Sequence, residues 1–330
     1  MATEPTIIIR SESQRCLLDR LARVAQTNAE ILITGPTGVG KELYAVFAHS
    51  HSRRREGPFV VVNCSNLPGD LLENEVFGHA RGAYTGAHIT GAGLAASAEG
   101  GTLFLDEIDT LPKVSQAKLL RFIQQREYRR LGETRVRRAD VRIIAACNVD
   151  LPTLVKYGHF REDLYFRLRV APIAIPPLVD RPDDIPALLE HFAATTAAEY
   201  QVRPITFSPA TMQRLLAYEW PGNVRELENL VRYLTCLQNE RPVEPSDIEA
   251  CGVPADQPGP AAALIGQPMK EAKEAVVGKF ERLYLDEALN RSGGNVSEAA
   301  RLSGKHRRAF FELMRKHKIN GEDYRAKSSG

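Results

Sequence analysis

Five short, largely apolar runs mark the chain up to residue 175, at 31–33, 59–62, 103–105, 141–146 and 170–175. Between most of them the apolar residues recur at three- and four-residue spacing. In 12–27, for example, Leu17, Leu18, Leu21, Val24 and Ala25 share one helical face. Runs this short and this poor in polar residues predict strands buried on both faces, and their alternation with helices predicts a largely parallel sheet. The pattern changes after Pro176-Pro177. Residues 183–200, 208–218 and 223–238 carry helical periodicity alone, with Ser208-Pro209 as N-cap and first-turn residue. Residues 252–268 hold four prolines and three glycines with little to pack, and read as a linker. Helical spacing returns over 269–318, and 320–330 is a polar tail. The expected organisation is an α/β body over 1–176, a helical segment over 177–251, the linker, and a small all-α domain over 269–330.

Composition narrows this picture only a little. With 43% hydrophobic and 25% charged residues the chain is neither disordered, collagen-like nor a coiled-coil rod. Lys and Arg number 43 against 41 acids, a formal charge of +2, so any affinity for nucleic acid has to come from a local patch. The five cysteines (Cys16, Cys64, Cys147, Cys236 and Cys251) are scattered and match no metal-ligand spacing. That points to a reducing compartment. The absence of a secretory leader or an apolar stretch of membrane length adds the expectation of a cytoplasmic protein without a membrane partner.

Two stretches carry chemistry. Gly35-Pro36-Thr37-Gly38-Val39-Gly40-Lys41 lies between an apolar run and a helical pattern, the Walker A arrangement. Its glycines let backbone N–H groups close around phosphates at a helix N-terminus, with Lys41 reaching the β- and γ-phosphates. Glu42 follows where the general motif has a hydroxyl for magnesium. Thr102-Leu103-Phe104-Leu105-Asp106-Glu107 is an apolar strand ending in two acids, as in Walker B. Asp106 is suited to hold Mg²⁺ and Glu107 to polarise the attacking water. A third run ends at Cys147-Asn148, where Asn148 can sense the γ-phosphate.

The segments between these sites carry a resemblance. Glu75-Val76-Phe77-Gly78-His79, then Gly82-Ala83-Tyr84-Thr85-Gly86-Ala87, then residues 100–107, 160–168 and 220–227 (WPGNVREL) follow one another in order and spacing. Together they resemble the bacterial enhancer-binding proteins, the AAA+ activators of sigma-54 RNA polymerase, over about residues 7–250. The resemblance implies an AAA+ P-loop fold with an α-helical lid, bound ATP and Mg²⁺, and a homo-oligomeric ring, expected to be a hexamer. It assigns ATP binding to residues 35–42 and to Arg225 as sensor II. Asn63 becomes the residue that restrains Glu107, and Asn148 becomes sensor I. Arg161 and Arg167 become the arginines offered to a neighbour's ATP; composition alone reads them as surface salt bridges. Gly82, Ala83, Tyr84, Thr85, Gly86 and Ala87 become the contact to sigma-54, against a plainer reading in which Tyr84 is tucked into the core. Tyr84 stands where the family has Phe, Cys147 where it has Thr. Residues 90–96 lack the family's Arg and Phe-Glu pair.

The C-terminal segment resembles the family's Fis-type helix-turn-helix. Residues 295–302 form its first helix, Ser303-Gly304 the turn, and 305–317 a recognition helix with Phe310, Leu313 and Met314 inward. Six Lys/Arg against one acid over 305–318 make the phosphate-binding footprint that the global charge hides. The expected DNA contacts are Ser297, Lys305, His306, Arg307, Arg308, Arg315 and Lys316. The implied function is a DNA-tethered ATPase that remodels sigma-54 polymerase closed complexes at enhancer-dependent promoters. No sensory domain precedes the ATPase motifs, so control is expected from a trans-acting regulator or from expression. The rival readings are an AAA+ remodeller of another target and a non-catalytic DNA-binding regulator with a relic nucleotide fold.

Overall fold

The five apolar runs form five strands in the computed structural model, which describes residues 7–66, 69–84, 87–237, 241–253, 269–292, 295–317 and 319. They are β1 (Ile31–Thr34), β2 (Phe59–Asn63), β3 (Thr102–Asp106), β6 (Arg142–Cys147) and β7 (Ala171–Ala174). All pair in parallel, in the order β2-β3-β6-β1-β7. Every residue of β6 is buried, which is why its sequence reads as one apolar run. Neighbouring residues of β3 and β6 feed opposite cores. Leu103, Leu105, Ile143 and Ala145 pack towards α5 (Lys113–Gln125) and α7 (Glu162–Leu168). Phe104 and Ile144 pack with Ile31 and Ile33 towards α1 (Glu12–Ala25) and α2 (Lys41–Ser50). The parallel sheet puts the C-terminal ends of β1, β3 and β6 along one edge, where ligands of open α/β sheets bind.

Two features had no sequence signal. Arg142 opens β6 almost completely buried, and its guanidinium donates to the Ala25 and Val24 carbonyls at 2.7 and 3.2 Å. It thereby closes the C-terminus of α1, where a cation also meets the negative end of the helix dipole. A hairpin, β4 (Glu127–Tyr128) with β5 (Arg137–Arg138), projects between α5 and β6. Strands of two residues are too short to leave a periodic pattern.

The chain divides into two compact units, Met1–Val253 and Pro254–Gly330. The first includes a helical lid made of α8 (Asp184–Tyr200), α9 (Pro209–Ala217), α10 (Asn223–Cys236) and the short α11 (Pro245–Glu249). Its core gathers Leu189, Leu215, Leu227 and Val231 around Trp220, whose indole donates to the Leu215 carbonyl at 2.8 Å. Ser208 caps α9 as its sequence suggests, its hydroxyl accepting the Thr211 N–H at 3.3 Å. Val253, at the start of the expected linker, is buried in this core. The rest of that linker, 254–268, lies outside the described residues, as does the tail 320–330.

Among the described residues the second unit has the helices Met269–Arg291, Val296–Leu302 and Arg307–Lys316. Leu285, Leu289, Ala299, Ala300, Phe310 and Met314 form its core. Asn295 caps the middle helix, accepting N–H groups of Ser297 and Glu298 at 3.1 and 3.3 Å. The recognition helix begins two residues later than its charge pattern suggests. Lys305 precedes it and His306 is its N-cap.

Candidate nucleotide and contact sites

The phosphate loop leaves β1 and turns into α2, whose first residue is Lys41. The Lys41 ammonium donates to the carbonyls of Gly35 and Pro36 at 2.9 and 3.0 Å and to the Asn148 amide oxygen. Asn148 in turn donates through Nδ2 to Glu107 Oε1 at 3.3 Å. Sensor, lysine and acid are thus joined in one relay across β6, β1 and β3. Burial lowers the Lys41 pKa, against the attraction of Asp106, Cys147, Asp109 and Glu107. Burial raises that of Asp106, although its carboxylate accepts the Glu107 N–H at 2.9 Å. Glu107 sits in the left-handed region at φ 53, a conformation that non-glycine residues adopt mainly under functional constraint. Cys147, beside the sensor, is a buried thiol with its pKa pushed up to about 12 by desolvation. Glu42 points to solvent.

The lid closes directly on the loop. Arg225 donates its backbone N–H to the Gly38 carbonyl at 3.2 Å. Gly38, at φ +81, lies so close that a Cβ there would stand 2.2 Å from the Gly222 carbonyl oxygen. Asn223 was not anticipated. It is buried at φ 54, donates to the Thr37 carbonyl at 2.9 Å and accepts the Leu178 N–H at 2.8 Å. Arg181, also unanticipated, donates to the Val39 carbonyl at 3.3 Å and lies 3.9 Å from buried Asp184. Asp184 accepts the Arg10 and Ser11 N–H groups at 2.5 and 2.8 Å. The only local hint of any of this was the Pro-Gly-Asn turn signal. A cavity of about 560 Å³ opens between Thr37, Gly222, Arg225, Glu226 and Tyr233, with the exposed Arg225 side chain on its wall.

Three expected site residues have other partners. Register places Asn63 beside Asp106, and its amide oxygen accepts the N–H and hydroxyl of Ser65 at 3.0 and 2.7 Å. Arg161 starts α7 and grips Asp163 through two bonds of 3.0 and 2.7 Å. Arg167, half-buried, meets Glu30 at 3.2 Å, a carboxylate shared with Arg126 at 2.7 Å. Glu30 precedes β1, at the sheet edge opposite the phosphate loop. Arg167 is therefore held away from the chain's own phosphate site, and Arg161 is engaged by Asp163.

Tyr84 is exposed at 44%, so the buried-aromatic reading does not hold. Its ring meets His79 edge-on at 5.2 Å between centroids. The loop is closed at its stem by Gly82 N–H to the Ala87 carbonyl at 2.9 Å and by Ala87 N–H to the Tyr84 carbonyl at 3.0 Å. Ala83 lies between them. Thr85 and Gly86 lie outside the described residues. In the second unit Ser297, Lys305, His306, Arg307, Arg308, Arg315 and Lys316 are all exposed. Arg308 lies 3.6 Å from Glu312, and Lys316 is bonded to Glu281 at 2.7 Å, which His317 also meets at 2.8 Å.

Residues 7–174 match the sigma-54 interaction domain, 179–261 the AAA+ ATPase lid domain and 277–317 the Fis family of bacterial regulatory proteins. The chain is 40% identical over 325 residues to the transcriptional regulatory protein GlrR of Escherichia coli, covering 97% of this chain and 69% of that one. It is 39% identical over 331 residues to the regulator NtrC of Azospirillum brasilense, covering 94% and 69%. The crystal structure of NtrX from Brucella abortus superposes with a TM-score of 0.70 at 34% identity, over 94% of this chain and 69% of that one. NtrX has also been solved with ATP; that structure has a TM-score of 0.68 at 33% identity over 96% and 70%. Among the described residues no helix is long and apolar enough to cross a membrane. A parallel sheet ending in Walker acids, a lid seated on the phosphate loop and a Fis-type helix-turn-helix thus coincide with these matches, and the chain belongs to the sigma-54-dependent transcriptional regulators, with an AAA+ ATPase domain and a DNA-binding domain.

Proposed function

We propose that the protein binds upstream DNA through its C-terminal unit, assembles into a ring, and uses ATP hydrolysis to drive the sigma-54 polymerase closed complex into the open complex. The observation that carries this reading is the exposed Tyr84 on a loop separate from the nucleotide residues. It also favours sigma-54 over another remodelling target, because the loop's sequence is the family's contact motif.

The chemistry follows from the relay. Residues 35–42 cradle the phosphates, and Lys41 meets their charge. Asp106 fits a magnesium site: a carboxylate whose ionised form is penalised by burial gains from a nearby cation, and Mg²⁺ on a nucleotide needs only one or two protein carboxylates. Bound there, the ion would neutralise charge on the phosphoryl oxygens. Glu107 orients and polarises water, held by Asn148, so a change at Lys41 is felt at Glu107 through one side chain. Arg225 reaches the nucleotide from the lid. Arg161 and Arg167 act on a neighbour's ATP, which would make hydrolysis depend on ring assembly, and the placing of Arg167 with Glu30, at the end of β1 opposite the phosphate loop, supports this. Asn63 links the site to the contact loop, since the chain runs from β2 through α3 (Gly69–Phe77) into Gly78 and His79 at the loop's base.

The test compares Tyr84→Ala, Thr85→Ala and Tyr84→Phe for ATP turnover, melting temperature and open-complex yield at a sigma-54 promoter. Neither alanine variant touches the phosphate site, so turnover should stay within a few-fold while open complexes fail. Tyr84→Phe should be tolerated because the ring remains. A buried aromatic would cost about 3–5 kcal/mol on truncation and lower every activity together. The exposed Tyr84 should cost far less. Normal open-complex yield from Tyr84→Ala would remove the sigma-54 reading.

A further inference from the structure

We propose that the β4–β5 hairpin is a second DNA-binding surface, which holds duplex phosphates beside the contact loop independently of the helix-turn-helix. Residues 126–138 contain six arginines against two glutamates. Both glutamates are already neutralised, Glu127 by Arg138 at 3.1 Å and Glu133 by Arg137 at 3.0 Å. Arg126 is spent on Glu30. Arg129 and Arg135 remain exposed, with no hydrogen bond or ion pair among the described residues. Arg130 keeps a buried Nε without a partner. Arg81, on the contact loop's stem, is exposed and equally unpaired among the described residues.

The hairpin that carries Arg129, Arg130 and Arg135 is fastened to the loop. Leu131 accepts the Ala80 N–H at 2.9 Å and donates its own N–H to the Gly78 carbonyl at 2.8 Å. A Cβ on Gly132 would lie 2.8 Å from the Ala83 Cβ. Arg130 and Arg81 therefore each flank the same junction. The surplus of guanidiniums over carboxylates in the hairpin leaves net positive charge beside the loop, and a partner with closely spaced anions complements it. Duplex DNA offers one phosphate charge per about 1.7 Å of axis, and planar arginine forks suit phosphate oxygens. This inference rests on the loop working at a promoter, where DNA lies beside the polymerase. The proposed contact is to the phosphate backbone, whose charge spacing and oxygen geometry the guanidiniums match.

The test uses the full chain carrying Lys305→Ala, Arg307→Ala, Arg308→Ala and Arg315→Ala, which remove exposed cations of the C-terminal face, and a fluorescent duplex of unrelated sequence titrated at several salt concentrations. Adding Arg81→Ala, Arg129→Ala and Arg135→Ala should weaken the residual binding at least about tenfold at low salt. It should also reduce the slope of log affinity against log salt by about 2.7, at about 0.9 per phosphate contact. Lysines at the three positions should restore most of the slope, and ATP turnover should be unchanged. An unchanged slope would overturn the proposal. So would loss of sigma-54 capture without DNA while the slope persists, which would make the patch a protein-docking surface. The DNA readout involves neither Tyr84 nor open complexes, so its failure is distinct from failure of the activator reading.

Discussion

Asn223 is the residue through which the lid's grip on the phosphate loop can be weighed. Replacing it with alanine removes two hydrogen bonds, to the Thr37 carbonyl and from the Leu178 N–H. Thr37 is exposed, so water recovers most of that loss, about 0.5–1 kcal/mol net. Leu178 is fully buried, and its stranded N–H costs about 1–3 kcal/mol. Alanine at φ 54 adds about 1–2 kcal/mol of left-handed strain, which glycine does not incur. Asn223→Ala should therefore cost about 3–6 kcal/mol and Asn223→Gly about 1–2 kcal/mol less. The chain has a single tryptophan, Trp220, buried in the lid core three residues earlier. Urea unfolding followed by its fluorescence reports the lid directly. ATP affinity should fall equally in both variants, because both lose the Thr37 bond whatever their backbone strain. Loss of less than about 1 kcal/mol in Asn223→Ala would refute the clamp. A glycine variant less stable than the alanine variant would refute the strain argument.

Other variants test the catalytic assignment. Glu107→Gln should bind ATP normally and lose turnover by at least about 100-fold, since the amide cannot polarise water and Asp106 is untouched; rapid turnover would sink the Walker B reading. Arg161→Ala should bind nucleotide but not hydrolyse it, and mixing it with Lys41→Ala protein should restore activity. Mixed rings pair a sound Lys41 with a sound Arg161, so an inactive mixture in which subunits demonstrably exchange would exclude action across the interface.

What was legible in the sequence was what the physics keeps local. β3 and β6 read correctly because both faces of each strand are buried, which confines polar residues to the strand ends, Thr102 and Asp106 in β3 and Arg142 in β6. Lys41, Asp106 and Glu107 stand out in the sequence because phosphate and metal chemistry asks for fixed residue types at short spacing beside a strand end, and the structure brings Lys41 and Glu107 together through Asn148. The Arg181–Asp184 pair and Asn223 were not found, and the reason is geometric. Asn223 holds a carbonyl 186 positions away, and Asp184 holds amides 173 and 174 positions away. No periodicity or motif carries such a pairing. The same distinction explains the DNA face. Local charge marked Lys316 as a phosphate contact, but its ammonium is bonded to Glu281, 35 residues upstream. Arg307, Arg308 and Arg315 point to solvent from the same helix without crossing to the first. Charge counts therefore identify the face, and tertiary pairing decides which of its cations are free to leave it for DNA. The hairpin shows the converse. Six arginines in one segment carried no motif, and only the pairing of both its glutamates exposes Arg129 and Arg135 as the uncommitted ones.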